Sequence, residues 1–429
     1  MLDIINKLVW SVATIFILFC GTHLTFSLSF VQLRLKKIKD SLKNSNQTKG
    51  VSPLKVLFMS LAGKVGVGSL AGIALAINIG GIGTIFWIWI FSILTSSNAF
   101  TESALGILYK EKDNNHYKGG PSYYIDKGLN KKKTAKIYAI LVIIAYTLGF
   151  LTIQANTIVI SVQSFLNIDK LLIGLMLAIL TLIIIFKGLD TIIEAISKII
   201  PIMAIIYLLI GLFIISTNIN LIPNILTSII KEALNFTSFT SGAVLSMIIG
   251  LQRGIFSSEA GLGTGAIMSG ASNDNNATRG GYIQVLGTYF TTLIICTITA
   301  FIILTTDYNA LDLKNINGIE LTQYALNFHL GNFGDILLAV IIFLFAFSTI
   351  LAVYYYGESN LKYLFKGLKE KHLTILKIII SLLVIYGSIA SSKFLWNIID
   401  IFVALLAIIN TYAIFKLRKV VKRSISNDK

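Results

Sequence analysis

The chain has 429 residues, of which 55% are hydrophobic and only 13% charged, and its mean hydropathy is +0.79. A soluble domain carries roughly 25% charged residues, so there are too few here to coat a globule; a soluble enzyme, a disordered chain and a collagen-like fibre are excluded. The 36 Lys and Arg outnumber the 20 Asp and Glu, giving a net charge of +16. Cys20 and Cys296 both lie in apolar runs and read as small apolar residues, and the four His are scattered, so neither a disulfide framework nor a metal cluster is indicated.

A bilayer-spanning helix needs roughly 20 apolar residues. Long runs free of Asp, Glu, Lys and Arg predict an all-α polytopic membrane protein with about eleven spans: 8–30, 54–79, 83–108, 135–164, 170–187, 191–216, 236–270, 280–306, 333–357, 372–390 and 395–415. The turn Gly80-Gly81-Ile82-Gly83 separates the second span from the third. The first segment reads as a membrane helix and not a signal peptide: it has no basic start, its apolar run is too long, and Arg34 to Lys39 form a stop-transfer flank. No soluble domain is visible.

The basic excess fixes an expected topology. With the N-terminus outside and the C-terminus cytoplasmic, 27 of the 36 Lys and Arg fall on inside loops, including the basic tail 416–429. The charge therefore calls for a lipid bilayer, in the cell membrane, and no nucleic-acid partner. The tail segment KLRKVVKR would meet anionic lipid.

Glycine is unevenly placed. Residues 63–83 hold seven and residues 250–270 hold six, where even spacing would put about three in both windows together. Clusters such as GKVGVGS (63–69) and EAGLGTG (259–265) read as helix interruptions, and broken helices at membrane depth are tolerated where they line a cavity. The windows fall in the second and seventh spans. Five helices apart is an odd offset, so the second copy runs oppositely through the bilayer. That is the inverted-repeat pattern of secondary transporters, with substrate held between two unwound helices. Unwound N–H groups suit a carboxylate and unwound carbonyls suit a small cation. No GxxxxGK[ST] supports ATP-driven pumping, and no GxSxG or His/Asp metal motif supports an intramembrane enzyme.

The segments LAGKVGVGSLAGIA (61–74), GGIGTIFWIWIFS (80–92), YKGGPSYYIDKGL (117–129), GLQRGIFSSEAGLGTG (250–265), FSTILAVYYYGE (347–358) and LWNIIDIFVALLAIIN (395–410) resemble the alanine or glycine:cation symporter family, also called sodium:alanine symporters, over nearly the whole length. The resemblance implies a LeuT-type fold. One extra N-terminal helix (1–33) would precede a five-helix repeat (54–216) and its inverted copy (236–415). It further implies uptake of a small amino acid such as alanine or glycine, driven by sodium, with no organic cofactor. Oligomeric state is not legible.

Carried over residue by residue, the resemblance places the substrate at Gly66, Val67, Gly68 and Ser69, whose amides would hold its carboxylate, and at Glu259, Ala260 and Gly261. Gln154 and Asn156 match the family's polar pair in the fourth span, with Gln154 a donor to the carboxylate; interhelical hydrogen bonding is an equally good account of both. Trp396 would close the pocket, and Asp400 matches the same pattern. Ser348 and Thr349 resemble a sodium site completed by the carbonyls of Ala62 and Val65. Their alternative is bonding back to their own helix.

Lys64, Glu102, Arg253 and Glu259 are ionisable groups inside spans, costly if they faced lipid. Glu102 reads as a buried brace for broken backbone, and Arg253 and Glu259 as gate or support of the seventh helix. Lys64 departs from the family: AGKVGVGS (62–69) stands where the family usually reads AGTVGTGN. Its ammonium would take the electrostatic role of a sodium beside the substrate, neutralising the substrate carboxylate or pairing with Glu102. A buried lysine that titrates would instead couple transport to protons, and one that snorkels into a cavity would do neither. The leading expectation is a sodium-coupled importer; a proton-coupled or sodium-independent carrier and a non-transporting sensor stand behind it.

Overall fold

The computed structural model describes residues 2–43, 51–113, 116–235, 242–307 and 318–427. Helices follow one another as α1 (Leu2–Ser27), α2 (Leu35–Asp40), α3 (Pro53–Lys64), α4 (Ala71–Gly80) and α5 (Thr84–Leu108). A hairpin of β1 (Glu111–Asp113) and antiparallel β2 (His116–Lys118) leads to α6 (Pro121–Leu129). Next, α7 (Lys132–Val142) widens into a π-helical stretch, Ile143–Phe150, and continues as α8 (Leu151–Gln163). Then come α9 (Lys170–Phe186), α10 (Leu189–Thr217), α11 (Ile222–Ala233), α12 (Gly242–Ser258) and α13 (Thr264–Gly270). A second π stretch, Phe290–Ile295, joins α14 (Ala277–Tyr289) to α15 (Cys296–Leu304). The chain closes with α16 (Gly318–Leu330), α17 (Phe333–Leu364), α18 (Glu370–Ile389) and α19 (Ser392–Asn427).

Among the described residues, eight helices are long and apolar enough to cross a membrane. The second predicted span is instead two short helices, α3 and α4, and the seventh is α12 and α13; residues 236–241 of its expected start lie outside the described residues. Apolar residues fill the interior and also cover much of the outside. Leu8, Ile15 and Phe19 on α1, Ile205, Leu209 and Leu212 on α10, and Ile375, Ile379 and Leu382 on α18 are exposed. They recur at helical spacing, as a lipid-facing stripe requires. Polar residues turn inward: Ser92, Thr95, Ser96, Ser97, Asn98, Thr101 and Glu102 of α5 are all buried. Several satisfy themselves locally, with Thr95, Ser96 and Thr101 donating to the carbonyls four residues back at 2.6–2.7 Å.

Local signals account for the ends. Ser52 caps α3 by accepting from Lys55 N–H, with Pro53 at the first helical position. Asp169 caps α9 through the N–H of Leu171, 2.8 Å away. Gly81, at φ +77, turns α4 into α5. The connecting stretches 217–235 and 307–335 contain the helices α11 and α16, and the basic tail from 416 continues α19, helical to Asn427. The two-stranded hairpin is a small departure from all-α.

Candidate functional site

The first break is real. Helix α3 ends at Lys64; Val65 (φ −89, ψ 74) and Gly66 (φ −120, ψ −154) are non-helical, and Val67–Ser69 make one tight turn before α4. The second break follows Ser258. Glu259 adopts a left-handed φ of 52, unusual for a residue with a Cβ, and Gly261 and Gly263 follow at +90 and +91. Loosened backbone exposes N–H and C=O groups that nothing in hydrocarbon can satisfy, and the neighbouring helices supply the partners.

At the first break, Val67 N–H donates to Gln154 Oε1 at 3.1 Å, and Thr299 Oγ1 donates to the Ser69 carbonyl at 2.8 Å. Thr349 Oγ1 donates to the Ala62 carbonyl at 2.7 Å. At the second break, Glu102 Oε2 accepts from Gly263 N–H at 3.0 Å and from Asn410 Nδ2 at 2.8 Å, while Asn410 also donates to the Gly261 carbonyl at 2.9 Å. Tyr138 donates to the Leu262 carbonyl and Tyr124 to Asn410 Oδ1. Glu102 thus accepts from the backbone of the second break directly and, through Asn410, is linked to a second of its peptide groups.

The two breaks touch. Ser69 Oγ and Ser257 Oγ are 3.0 Å apart, and a Cβ placed on Gly68 would stand 2.8 Å from the ring of Phe256. A Cβ on Gly63 would stand 2.9 Å from Glu259 Oε2 and 2.0 Å from the Tyr356 hydroxyl, which donates to that carboxylate at 3.1 Å. Residues Gly66 to Ser69 and Glu259 to Gly261 are all buried.

Not every expected residue arrives. Asn156 Nδ2 donates to the carbonyls of Gly387 and Ala390 at 3.2 and 2.9 Å, so it ties α8 to the end of α18, the interhelical bonding weighed for it above. Gln154 reaches the first break, where its oxygen accepts from Val67 N–H, and its amide Nε2 is the group that could donate to a carboxylate. Ser348 donates to Phe345 O of its own helix at 2.9 Å, so of the Ser348–Thr349 pair it is Thr349 that meets Ala62. Val65 ends α3, its N–H donating to Leu61 O. Lys64 is buried and turned toward α14, where Nζ donates to Gln284 O at 3.3 Å and Thr288 Oγ1 at 3.1 Å. Among the described residues it makes no ion pair within 4.0 Å, with Glu102 or any other carboxylate.

Toward one end of the site, Arg253 Nη2 pairs with Asp400 Oδ2 at 2.9 Å, Gln252 Nε2 donates to the same oxygen at 2.8 Å, and the guanidinium lies 5.0 Å from the Trp396 ring. From Trp396 a column of rings runs inward through Phe256 (4.8 Å), Phe150 (4.7 Å) and Tyr146 (4.4 Å) to Tyr356 (5.0 Å) and its bond to Glu259. Toward the other end, Lys362 bridges Asp113 of the hairpin (2.9 Å) and Glu358 (2.7 Å), Ser122 donates to Asn360 Oδ1 at 2.7 Å, and Tyr363 donates to Asp126 at 2.8 Å. These contacts latch the hairpin and α6 onto the end of α17. Sequence reasoning left Ser257, Tyr356 and Asn410 without roles, although all three lie in the segments that carry the family resemblance; Thr299 and Tyr138 had no such signal.

Comparison with known proteins agrees with the geometry. The amino-acid carrier protein AlsT of Bacillus subtilis is 36% identical over 423 residues, covering 98% of this chain and 90% of the relative. The probable sodium/glutamine symporter GlnT of the same organism is 37% identical over 424 residues, covering 97% and 88%. The solved structure of MhsT in complex with L-phenylalanine superposes with a TM-score of 0.61 at 14% identity, over 86% of this chain and 89% of that one, which shows a shared LeuT-type fold. The model of the sodium:alanine symporter family matches residues 1–428, and the chain belongs to that family.

Proposed function

We propose that the chain imports a small neutral amino acid, alanine or glycine, by sodium symport, with the substrate held between the two breaks. As a member of its family it is a multi-pass membrane transporter, not an enzyme, and it carries an amino acid with sodium. The identity of the amino acid is our reading. The observation that carries it is the meeting of the two breaks: Phe256 stands against Gly68 and Ser69 Oγ lies 3.0 Å from Ser257 Oγ, so a solute held there would have closely packed walls, which favour a small side chain.

Sodium would lie at Thr349 and Ala62, where a hydroxyl and a carbonyl converge from α17 and the end of α3. Hard oxygen donors of this kind suit an alkali cation. Gly66, Val67, Gly68 and Ser69 would hold the carboxylate, Glu259, Ala260 and Gly261 the other end, and Trp396 the lid. Cycling would follow the repeats 54–216 and 236–415, in about eleven spans, with the N-terminus outside. In that orientation the Arg253–Asp400 pair closes the outer side and the Asp113–Lys362 latch the inner side.

The test is uptake of L- and D-alanine, glycine, serine and glutamine into proteoliposomes with and without an inward sodium gradient. Saturable uptake of alanine or glycine that needs the gradient supports the reading. Uptake that ignores sodium and follows a proton gradient refutes it in favour of the alternative through Lys64; preference for glutamine refutes the assigned substrate.

A further inference from the structure

Three buried charges surround the second break. Lys64 comes from the last turn of α3, Glu102 from α5 and Glu259 from the break itself, and all three are shielded from solvent. Glu102 and Glu259 are the carboxylates whose charge acts on the Lys64 ammonium. Glu102 retains one oxygen, Oε1, that is buried and has no hydrogen-bond partner, and Glu259 lies among the hydroxyls of Tyr356, Thr264 and Tyr146. The Lys64 ammonium has three N–H donors, and Gln284 O and Thr288 Oγ1 engage two. Glu102 Oε1 and Gln284 Oε1 lie 3.0 and 3.1 Å from the place a Cβ on Gly265 would take, so the bare carboxylate oxygen and the residue that anchors Lys64 border the same small space. Glu259 Oε2 stands beside Gly63, the residue next to Ala62.

The formal charge of this cluster is one cation against two anions. In a low-dielectric interior an uncompensated carboxylate is costly. A zwitterionic amino acid adds no net charge. One sodium at Thr349 and Ala62 would bring the sum to zero, and a second would overshoot it.

We propose that Lys64 is a resident cation of the transport cycle: its ammonium permanently offsets one of the two carboxylates bracing the second break, so that a single sodium neutralises the other and the carrier moves one sodium per amino acid. This rests on the sodium-symport reading above. Lys64 acts through Glu102 and Glu259 and is a positioning residue that does not touch the substrate. Gln284 and Thr288 hold it, which explains why a lysine so near the break points away from the exposed amides.

The experiment compares wild type, Lys64→Gln, Lys64→Arg and the double variant Lys64→Gln/Glu102→Gln, all full length. The coupling ratio is read in proteoliposomes by balancing an alanine gradient against a sodium gradient. Sodium-dependent thermal shift, which needs no amino acid, gives the number of sodium ions that stabilise each protein. Wild type and Lys64→Arg are expected to show about one sodium, Lys64→Gln about two with a steeper sodium dependence, and the double variant about one again. If Lys64→Gln does not fold, recovery of folding and of one-sodium behaviour in the double variant supports the proposal. Two sodium ions in wild type overturn it. So does an unchanged sodium dependence in Lys64→Gln, or a double variant that folds yet still shows two sodium ions. Wild type that binds one sodium yet carries no alanine or glycine leaves the charge assignment standing and refutes the assigned substrate instead.

Discussion

Replacing Thr349 by Val is the sharpest probe of the ion site. Val keeps the branched shape of Thr and removes one hydroxyl. That hydroxyl lies 2.7 Å from the Ala62 carbonyl and 3.0 Å from Phe345 O, and a Cβ on Gly66 would stand 2.6 Å from it, so it sits against the first break with no room for a shifted substitute. Loss of one hydrogen bond or ligand to a charged partner is worth about 1.5–3 kcal/mol, and each 1.4 kcal/mol is about tenfold in affinity. Half-saturating sodium should therefore rise about 10- to 100-fold in Thr349→Val, while Thr349→Ser, which keeps the oxygen, stays within a few fold of wild type. Sodium-dependent alanine uptake at fixed substrate reads both. Because Ser348 bonds to its own helix, Ser348→Ala should change half-saturating sodium little. A Thr349→Val protein that is folded and saturates at the wild-type sodium concentration refutes the site.

Gly63→Ala should abolish transport: its methyl would lie 2.0 Å from the Tyr356 hydroxyl, and the gain of about 1 kcal/mol in helix propensity is outweighed by overpacking of about 1–3 kcal/mol. Retained uptake would show that the Tyr356–Glu259 contact is dispensable. Asp400→Asn leaves Arg253 short of a counter-charge in a buried pair, a loss of about 3–5 kcal/mol, so the melting temperature in detergent should fall further than in Arg253→Met/Asp400→Leu; equal falls would contradict the pair. At the hairpin, burial pushes the Asp113 carboxyl up, but the Lys362 hydrogen bond and the charges of Lys362 and Lys118 outweigh it and hold the group below its ordinary range. A depressed carboxylate contributes its stabilisation above the ordinary value and loses it as pH falls through the lowered one. The latch should hold unchanged from pH 7 to about pH 5, and Asp113→Asn should loosen it at neutral pH, seen as faster amide exchange across β1 and β2; exchange in wild type that already accelerates by pH 5 would refute the assignment.

How much the sequence disclosed depended on what each signal measures. Glycine clusters mark places where the backbone leaves the helix, and both breaks fall inside them. Hydropathy windows measure length and apolarity together, so the amphipathic α11 and α16, which carry Lys231, Glu232 and Glu320, escaped notice, as did the helical continuation of α19 through a basic stretch. Residue identity does not say which way a side chain faces. Gln154 and Asn156 are two apart on a helix, so they project nearly opposite ways. One reaches the first break and the other α18. Ser348 and Thr349 differ by about 100°, and Thr349 alone reaches α3. Lys64 was legible as a departure, but its direction was set by acceptors on α14 more than two hundred residues later.

The file of rings from Trp396 to Tyr356 draws on α19, α12, the π-helical stretch and α17, and it begins at a guanidinium and finishes at a carboxylate. Its two middle contacts are stacked, at 11° and 13° between planes, while Trp396 meets Phe256 tilted at 42° and Tyr356 meets Tyr146 edge-on at 78°. Four separate elements are thereby sewn into one unbroken aromatic wall, and in an interior packed this closely no single ring changes place without its neighbours repacking.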